Sequence, residues 1–254
     1  MPRRIEEADK ALFDSIADSY VAKDLTPYCR IARSLRLTRS LRHLARPIGR
    51  LLEVGCGAGF SAEYLAGDYG RYVGVDYSEK LIAYARAHHA SSTAEFVCRN
   101  IKDLDDTDTF DVVLLIGVLH HIQDVPAALE QMKQRLRPGG VIVANEPQRG
   151  NPLISVLRRI RKRTDANYSD DQVAFSAAEI ERIFADCGFD TRIFPQGLLT
   201  TPLAETRFLP SIVGFPLSLI CRWLDPALET VLSVTGLRRL AWNVVILARV
   251  RDDG

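Results

Sequence analysis

The stretch LLEVGCGAGF, Leu51 to Phe60, constrains the fold more than any other part of the chain. An apolar run ends in glycines at every second position, Gly55, Gly57 and Gly59. Glycine weakens regular structure, so three of them directly after a buried strand mark a sharp turn whose backbone must come close to something. The same texture continues downstream. YVGVD, EFVC, FDVVLLIG and VIVANE are short apolar runs with strand character, and helical segments lie between them. Ser78 stands where it can cap EKLIAYARAHH, and DVPAALEQMKQRL stops at RPGG, a proline-glycine terminator. Strands alternating with helices predict parallel pairing through crossover connections, with helices on both faces.

The flanks read differently. ALFDSIADSYV sets Leu12, Phe13, Ile16 and Tyr20 at helical spacing. In LTPYCRIARSLRLTRSLRHLA, Thr26 can cap and Pro27 takes the first helical position. Arg30, Arg33, Arg36, Arg39 and Arg42 recur every third residue. A step of three falls short of a turn, so they spiral around the helix and read as a solvated surface. SAAE, Ser176 to Glu179, is a capping box opening EIERIFADCGF. TRIF and AWNVVILARV read as late strands, separated by a segment from Gln196 to Leu240 that is long for a connection in a compact domain. The expected organisation is one domain over residues 1–254. It has an N-terminal helical cap (1–47), a doubly wound α/β core (48–195 and 241–254) and a late helical insertion (196–240).

A ligand is the best reason for the glycine turn, and three readings compete. A bare packing turn fails to explain three alternate glycines. A dinucleotide fingerprint needs its third glycine one residue later, where Phe60 stands. The third reading is a nucleoside without phosphate. Asp76, closing the second strand, can accept from both ribose hydroxyls. Glu53 lies two residues before the first glycine, where like charge would repel a pyrophosphate and a cation would be welcome. Adenosine attached to a sulfonium and an ammonium satisfies each requirement.

These residues resemble the class I S-adenosylmethionine-dependent methyltransferases, in particular their small-molecule and quinone-biosynthesis-like branch. LLEVGCGAG is similar to the family's first motif and VGVDYS to its second, while FDVVLLIGVLHHI and LRPGGVIVANEP resemble its fourth-strand and fifth-strand segments. The resemblance implies a seven-stranded, mostly parallel Rossmann-like sheet and S-adenosylmethionine as cofactor, with S-adenosylhomocysteine as product. It implies that Glu53, Gly55, Cys56 and Gly57 surround the methionine moiety, Asp76 binds the ribose, and Tyr77, Asn100 and Ile101 contact the adenine. Ile116 and Gly117 would line the sulfonium end, and Tyr20 would close over the cofactor. Many members carry a carboxylate where Asn100 offers an amide.

Methyl transfer needs a base only if the acceptor loses a proton. His120 and His121, just past the fourth strand, are candidates, as is Glu146, which ends the fifth strand with Asn145 at the same cavity edge. The expected activity is methylation of a small, lipophilic acceptor at oxygen or carbon. An RNA or protein methyltransferase and a non-catalytic S-adenosylmethionine-binding protein stand as alternatives.

Composition narrows the setting. A formal net charge of +1 argues against general attraction to nucleic acid. Five scattered cysteines suggest neither a disulfide framework nor a zinc or other metal site, which fits a reducing cytoplasm. MPRRIEEADK has no apolar core and is not a signal peptide. LRRIRKR, Leu157 to Arg163, reads as a solvated helix, with an anionic substrate or membrane surface as the sharper alternative. FLPSIVGFPLSLIC, Phe208 to Cys221, carries no charge and is too short to span a bilayer. Pro210, Gly214 and Pro216 predict that it cannot form one long straight helix. The favoured reading is a lid, with Phe208, Leu209, Phe215 and Leu219 over the acceptor. A homodimer contact or a peripheral membrane contact through residues 206–224 is the alternative, suited by Arg207, Arg222 and Trp223.

Overall fold

The structure is a computed structural model and describes residues 2–101, 108–148, 151, 175–205 and 210–251. Two helices lead, α1 (Pro2–Asp24) and α2 (Pro27–Ser40). There follow β1 (Ile48–Val54), α3 (Phe60–Tyr64), β2 (Tyr69–Asp76), α4 (Glu79–His89) and β3 (Ala94–Cys98). Next come β4 (Phe110–Ile116), a 3-10 turn (Leu119–His121), α5 (Val125–Gln134) and β5 (Leu136–Pro147). The last elements are α6 (Ala177–Asp186), β6 (Phe189–Gln196), α7 (Thr200–Glu205), α8 (Ser211–Val234) and β7 (Asn243–Val250).

Seven strands form one sheet in the order β3-β2-β1-β4-β5-β7-β6. The first five pair in parallel, and β7 runs antiparallel to both β5 and β6. Successive strand residues point to opposite faces, and both faces are apolar because helices cover both. Leu52, Val54, Val113, Leu115 and Ile142 pack toward Leu129 and Met132 of α5 and Phe184 of α6. Their neighbours Leu51, Val112, Leu114, Val141 and Val143 pack toward Leu37 of α2 and Ile82 and Ala85 of α4. From β1 the chain proceeds to β2 and β3 on one side, and from β4 to β5 on the other. The loops leaving β1 and β4 therefore part over a crevice at the carboxyl ends of the strands, where open α/β sheets hold ligands.

Local signals mostly act as read. Ser78 caps α4 by accepting from the Leu81 N–H, and Ser176 and Glu179 form the reciprocal capping box of α6. Thr26 does not cap: its hydroxyl donates to the Lys23 carbonyl, closing the end of α1 instead. Helix α5 stops before RPGG, but those residues begin β5, with an irregular register against β4.

Two expectations are overturned. The arginine spiral of α2 is not simply a solvated surface, because acids and amides from distant elements reach it. Arg33 pairs with buried Asp24, Arg36 donates to Asn145, and Arg39 and Arg42 both pair with buried Glu229. The late apolar run does join one continuous helix, α8, of 24 residues with Pro216 and Pro226 inside it. Pro210 sits outside as its N-cap, and Pro216 in the second turn removes a single intrahelical bond. Tertiary anchors hold it. Asp225 accepts from the Leu199 and Thr200 N–H groups at the start of α7, and Glu229 accepts from the Gly197 N–H at 3.0 Å. Leu157 to Arg163, Arg207, Phe208 and Leu209 lie outside the described residues.

Candidate functional site

The glycine turn hangs from the end of β2. The Gly55 and Cys56 N–H groups donate to the Val75 carbonyl, and Gly57 donates to Asp76 Oδ2 at 2.9 Å. The other carboxylate oxygen accepts from the Ser78 N–H, also at 2.9 Å. Asp76 is thus fixed by two backbone donors and keeps lone pairs for further donors. Its burial raises the carboxyl's pKa, against the pull of the Ser78, Gly57 and Tyr77 N–H groups. Gly55 has φ +70°, and a Cβ there would stand 2.6 Å from Val118 of the loop after β4. The two loops touch at that point, so the residue must be glycine.

Beneath the turn lies a cleft of about 520 Å³, its open mouth included. Of the residues expected at the site, Tyr20, Glu53, Gly55, Cys56, Gly57 and Ile116 line it. Glu53 is 2% exposed and accepts from Ser61 Oγ at 2.8 Å and from the Tyr72 hydroxyl. Burial pushes its carboxyl up to about 7, although both hydrogen bonds oppose the shift. Tyr20 reaches over Gly57: a Cβ on that glycine would lie 3.9 Å from its ring. The Cys56 side chain belongs to the core beneath the sheet, and burial pushes its thiol well up, so it is inert there.

Two arginines read only as surface, together with Asp24, complete the cleft. Arg33, Arg36 and Asp24 line it. The Arg33 guanidinium lies 5.3 Å from the Tyr20 ring centroid, with its Nε 2.7 Å from Asp24 Oδ1. Arg36 donates to the Asn145 side chain at 2.7 Å and backbone carbonyl at 3.0 Å, and its guanidinium lies against Gly117. Asn145 itself donates to Ser40 Oγ and to Gln196. The arginine spacing gave no sign of this role, which depends on where α2 docks.

The remaining expected residues sit outside the lining of this cleft. Tyr77 lies on the far side of the turn, 6.3 Å from Phe13 of α1, whose ring is also 5.4 Å from His121. Asn100 is partly exposed after β3, while Ile101 packs into the core. Asn145 and Glu146 do not share a cavity edge, because neighbours on a strand face opposite ways. Asn145 turns toward α2, and Glu146 turns toward the loop after β4. There Glu146 Oε1 accepts from the Val118 and Leu119 N–H groups at 2.7 and 2.9 Å, and Oε2 lies 2.7 Å from His120 Nδ1. Burial would push this carboxyl up, but His120 and the backbone donors outweigh it, and the net shift is down. A carboxylate has no hydrogen to give, so His120 Nδ1 carries the proton and Nε2 is left for exchange. The His120 ring edge adjoins Gly117. His121, 4.2 Å from it between ring centroids, is half-buried and pushed down to about 4, first by desolvation and then by His120.

Comparison with known proteins adds to this geometry. Residues 52–144 match the model of a methyltransferase domain. A ubiquinone biosynthesis O-methyltransferase from Nitrobacter winogradskyi is 33% identical over 121 residues, 46% of this chain and 46% of that protein. One from Mesorhizobium japonicum is 31% identical over 133 residues, 51% of each. The chain thus spans about half the length of the curated relatives it matches. DhpI in complex with SAH superposes with a TM-score of 0.64 at 17% identity, over 99% of this chain and 100% of that one. The plantazolicin methyltransferase BpumL in complex with SAH gives 0.61 at 17%, over 98% of each. These likenesses concern the fold. Residues 52–144 are thus similar to a methyltransferase domain, and they lie in a seven-stranded, mostly parallel Rossmann-like sheet whose fold the DhpI and BpumL structures share.

Proposed function

We propose that the protein transfers a methyl group from S-adenosylmethionine to a small, lipophilic acceptor that loses a proton. The observation that carries this is the pairing of two carboxylates around one glycine turn: Asp76 fixed on its outer side, Glu53 buried beneath it. The residues fit the cofactor. Asp76 would hold the ribose hydroxyls, and Glu53 with the glycine backbone would receive the cationic methionine end, with the Arg33 and Arg36 guanidiniums suited to its carboxylate. Tyr20 and Phe13 would cover it from α1, and Tyr77, Asn100 and Ile101 would border the adenine. Ile116 and Gly117 would flank the sulfonium.

S-adenosylmethionine supplies an electrophilic methyl group on a sulfonium. The chain's part is to align the acceptor behind that methyl, exclude water and remove one proton. His120 Nε2 would accept the proton that the acceptor loses. Glu146 is a positioning residue: it holds the imidazole by Nδ1 and stabilises the charge that the proton brings. His121 stays neutral and packs. The curated relatives' description as O-methyltransferases supports an oxygen acceptor.

Calorimetry with S-adenosylmethionine, followed by an assay for S-adenosylhomocysteine release against a panel of lipophilic phenols, tests the proposal. Cofactor binding with turnover on small acceptors is the expected result. Binding with no turnover on small acceptors, RNA or protein would make it a non-catalytic binder, and turnover on a macromolecule alone would overturn the acceptor class. Tight NAD binding without S-adenosylmethionine binding would remove the reading altogether.

A further inference from the structure

Helix α8 is built inside out. Its buried residues are Gly214, Ser218, Cys221, Asp225, Glu229 and Leu232, spaced along one stripe. Both of its acids lie on that stripe, each fully engaged by donors from α2 or the loop before α7. The opposite stripe is apolar and open to solvent: Ile212 is 85% exposed, Trp223 and Val234 are each 78%, and Ile220 and Val231 lie between them. Phe215 and Leu219, expected under a lid, are exposed as well, and among the described residues no α8 side chain lines the cleft. The lid reading therefore does not hold for them. A monomeric protein rarely leaves so long an apolar surface in water, so something covers it.

Charge selects what covers it. From Ser211 to Leu240 every acidic side chain points inward, while Arg222, Arg238 and Arg239 are exposed. A face with an apolar stripe, a tryptophan near its middle, flanking arginines and no acid suits the headgroup region of an anionic bilayer. Among the described residues no helix is long and apolar enough to cross a membrane, which leaves a helix lying in the interface. We infer that α8 docks the protein onto anionic phospholipid membranes, with Ile212, Ile220, Trp223, Val231 and Val234 entering the acyl boundary and the arginines meeting lipid phosphates. The inference rests on α8 and the arginines in and just after it, and not on the proposed methyl transfer. It agrees with a lipophilic acceptor.

Co-sedimentation of the full chain with vesicles tests it, using phosphatidylcholine alone and phosphatidylcholine with about a third phosphatidylglycerol. Partition onto the anionic vesicles is expected, with a blue shift of Trp223 fluorescence and weakening by salt. The exposed double variant Ile220→Asp, Trp223→Asp should lose roughly tenfold or more in partition. An unchanged melting temperature and circular dichroism spectrum would show that the variant is folded, and Trp223→Phe should retain most of the partition. Absence of partition, equal partition onto neutral vesicles, or full partition by the folded double variant would each overturn the inference. A dimer that fails to bind vesicles and dissociates in the double variant would overturn it too, assigning the face to a second copy.

Discussion

Glu53 ties cofactor binding to protonation, and the size of the link follows from its surroundings. Burial pushes its carboxyl up to about 7, Tyr72 and Ser61 pull it down, the Asp76 charge pushes it further up, and Arg33 opposes. In the ligand-free protein the folded value stands above the ordinary one. The stability it contributes is therefore full below about pH 4.5 and is lost as pH rises through about 7. A sulfonium and an ammonium beside Glu53 favour the ionised form and return the bound-state value toward the ordinary one. Binding then releases a proton. Between about pH 6 and about pH 7.5 the association constant for S-adenosylmethionine should rise roughly eightfold, about 1.2 kcal/mol. Calorimetry in two buffers of different ionisation heat measures both quantities, and nearly one proton should leave per cofactor near pH 6. Glu53→Gln keeps an acceptor for Ser61 or Tyr72 and cannot titrate, so its pH dependence and proton release should vanish. A wild-type profile that is flat, with no proton released, would refute the argument.

Asp76→Ala removes the charged acceptor for the ribose, and a charged hydrogen bond of about 1.5–3 kcal/mol predicts roughly tenfold to a hundredfold weaker cofactor binding by calorimetry. Glu229→Ala leaves Arg39, Arg42 and the Gly197 N–H without their buried partner. Breaking such a buried pair costs about 3–5 kcal/mol in a denaturant titration, and an effect below 1 kcal/mol would show that the cluster is solvated. His121→Ala should leave the pH–rate profile unmoved, whereas His120→Ala should lower turnover about a hundredfold. Glu146→Gln should lower turnover while leaving cofactor affinity by calorimetry unchanged, because the imidazole loses the carboxylate that orients it. Unchanged turnover would make Glu146 merely structural.

What the sequence disclosed was chemistry that is local to the chain. The caps at Ser78 and Ser176 act on backbone groups three residues away, and the glycine turn meets Val75 and Asp76 across the adjacent strands β1 and β2, so a strand-turn-helix-strand spacing suffices. Placing Asn145 and Glu146 at one cavity edge overlooked the two-residue period of a strand, which turns neighbours to opposite faces. Arg33 and Arg36 were not legible. Their place at the cleft depends on how α2 crosses the sheet and on Asp24, Asn145 and Gln196 arriving to meet it. Helix α8 misled for a different reason. Apolar residues ordinarily point inward, and nothing along the chain announces that Asp225 and Glu229 will take the inner face because α2 and α7 offer donors there.

The position of β7 has a consequence for how the chain is made. It is the sheet's last strand in sequence but lies between β5 and β6. On the ribosome, β6 emerges with no neighbour to join, and the outer edge of β5 stays open until residues 243–250 have appeared. The apolar face of α8 is already outside the tunnel by then. Closure of the sheet is therefore a late, long-range event, and the interval before it is when the nascent chain is most exposed to aggregation.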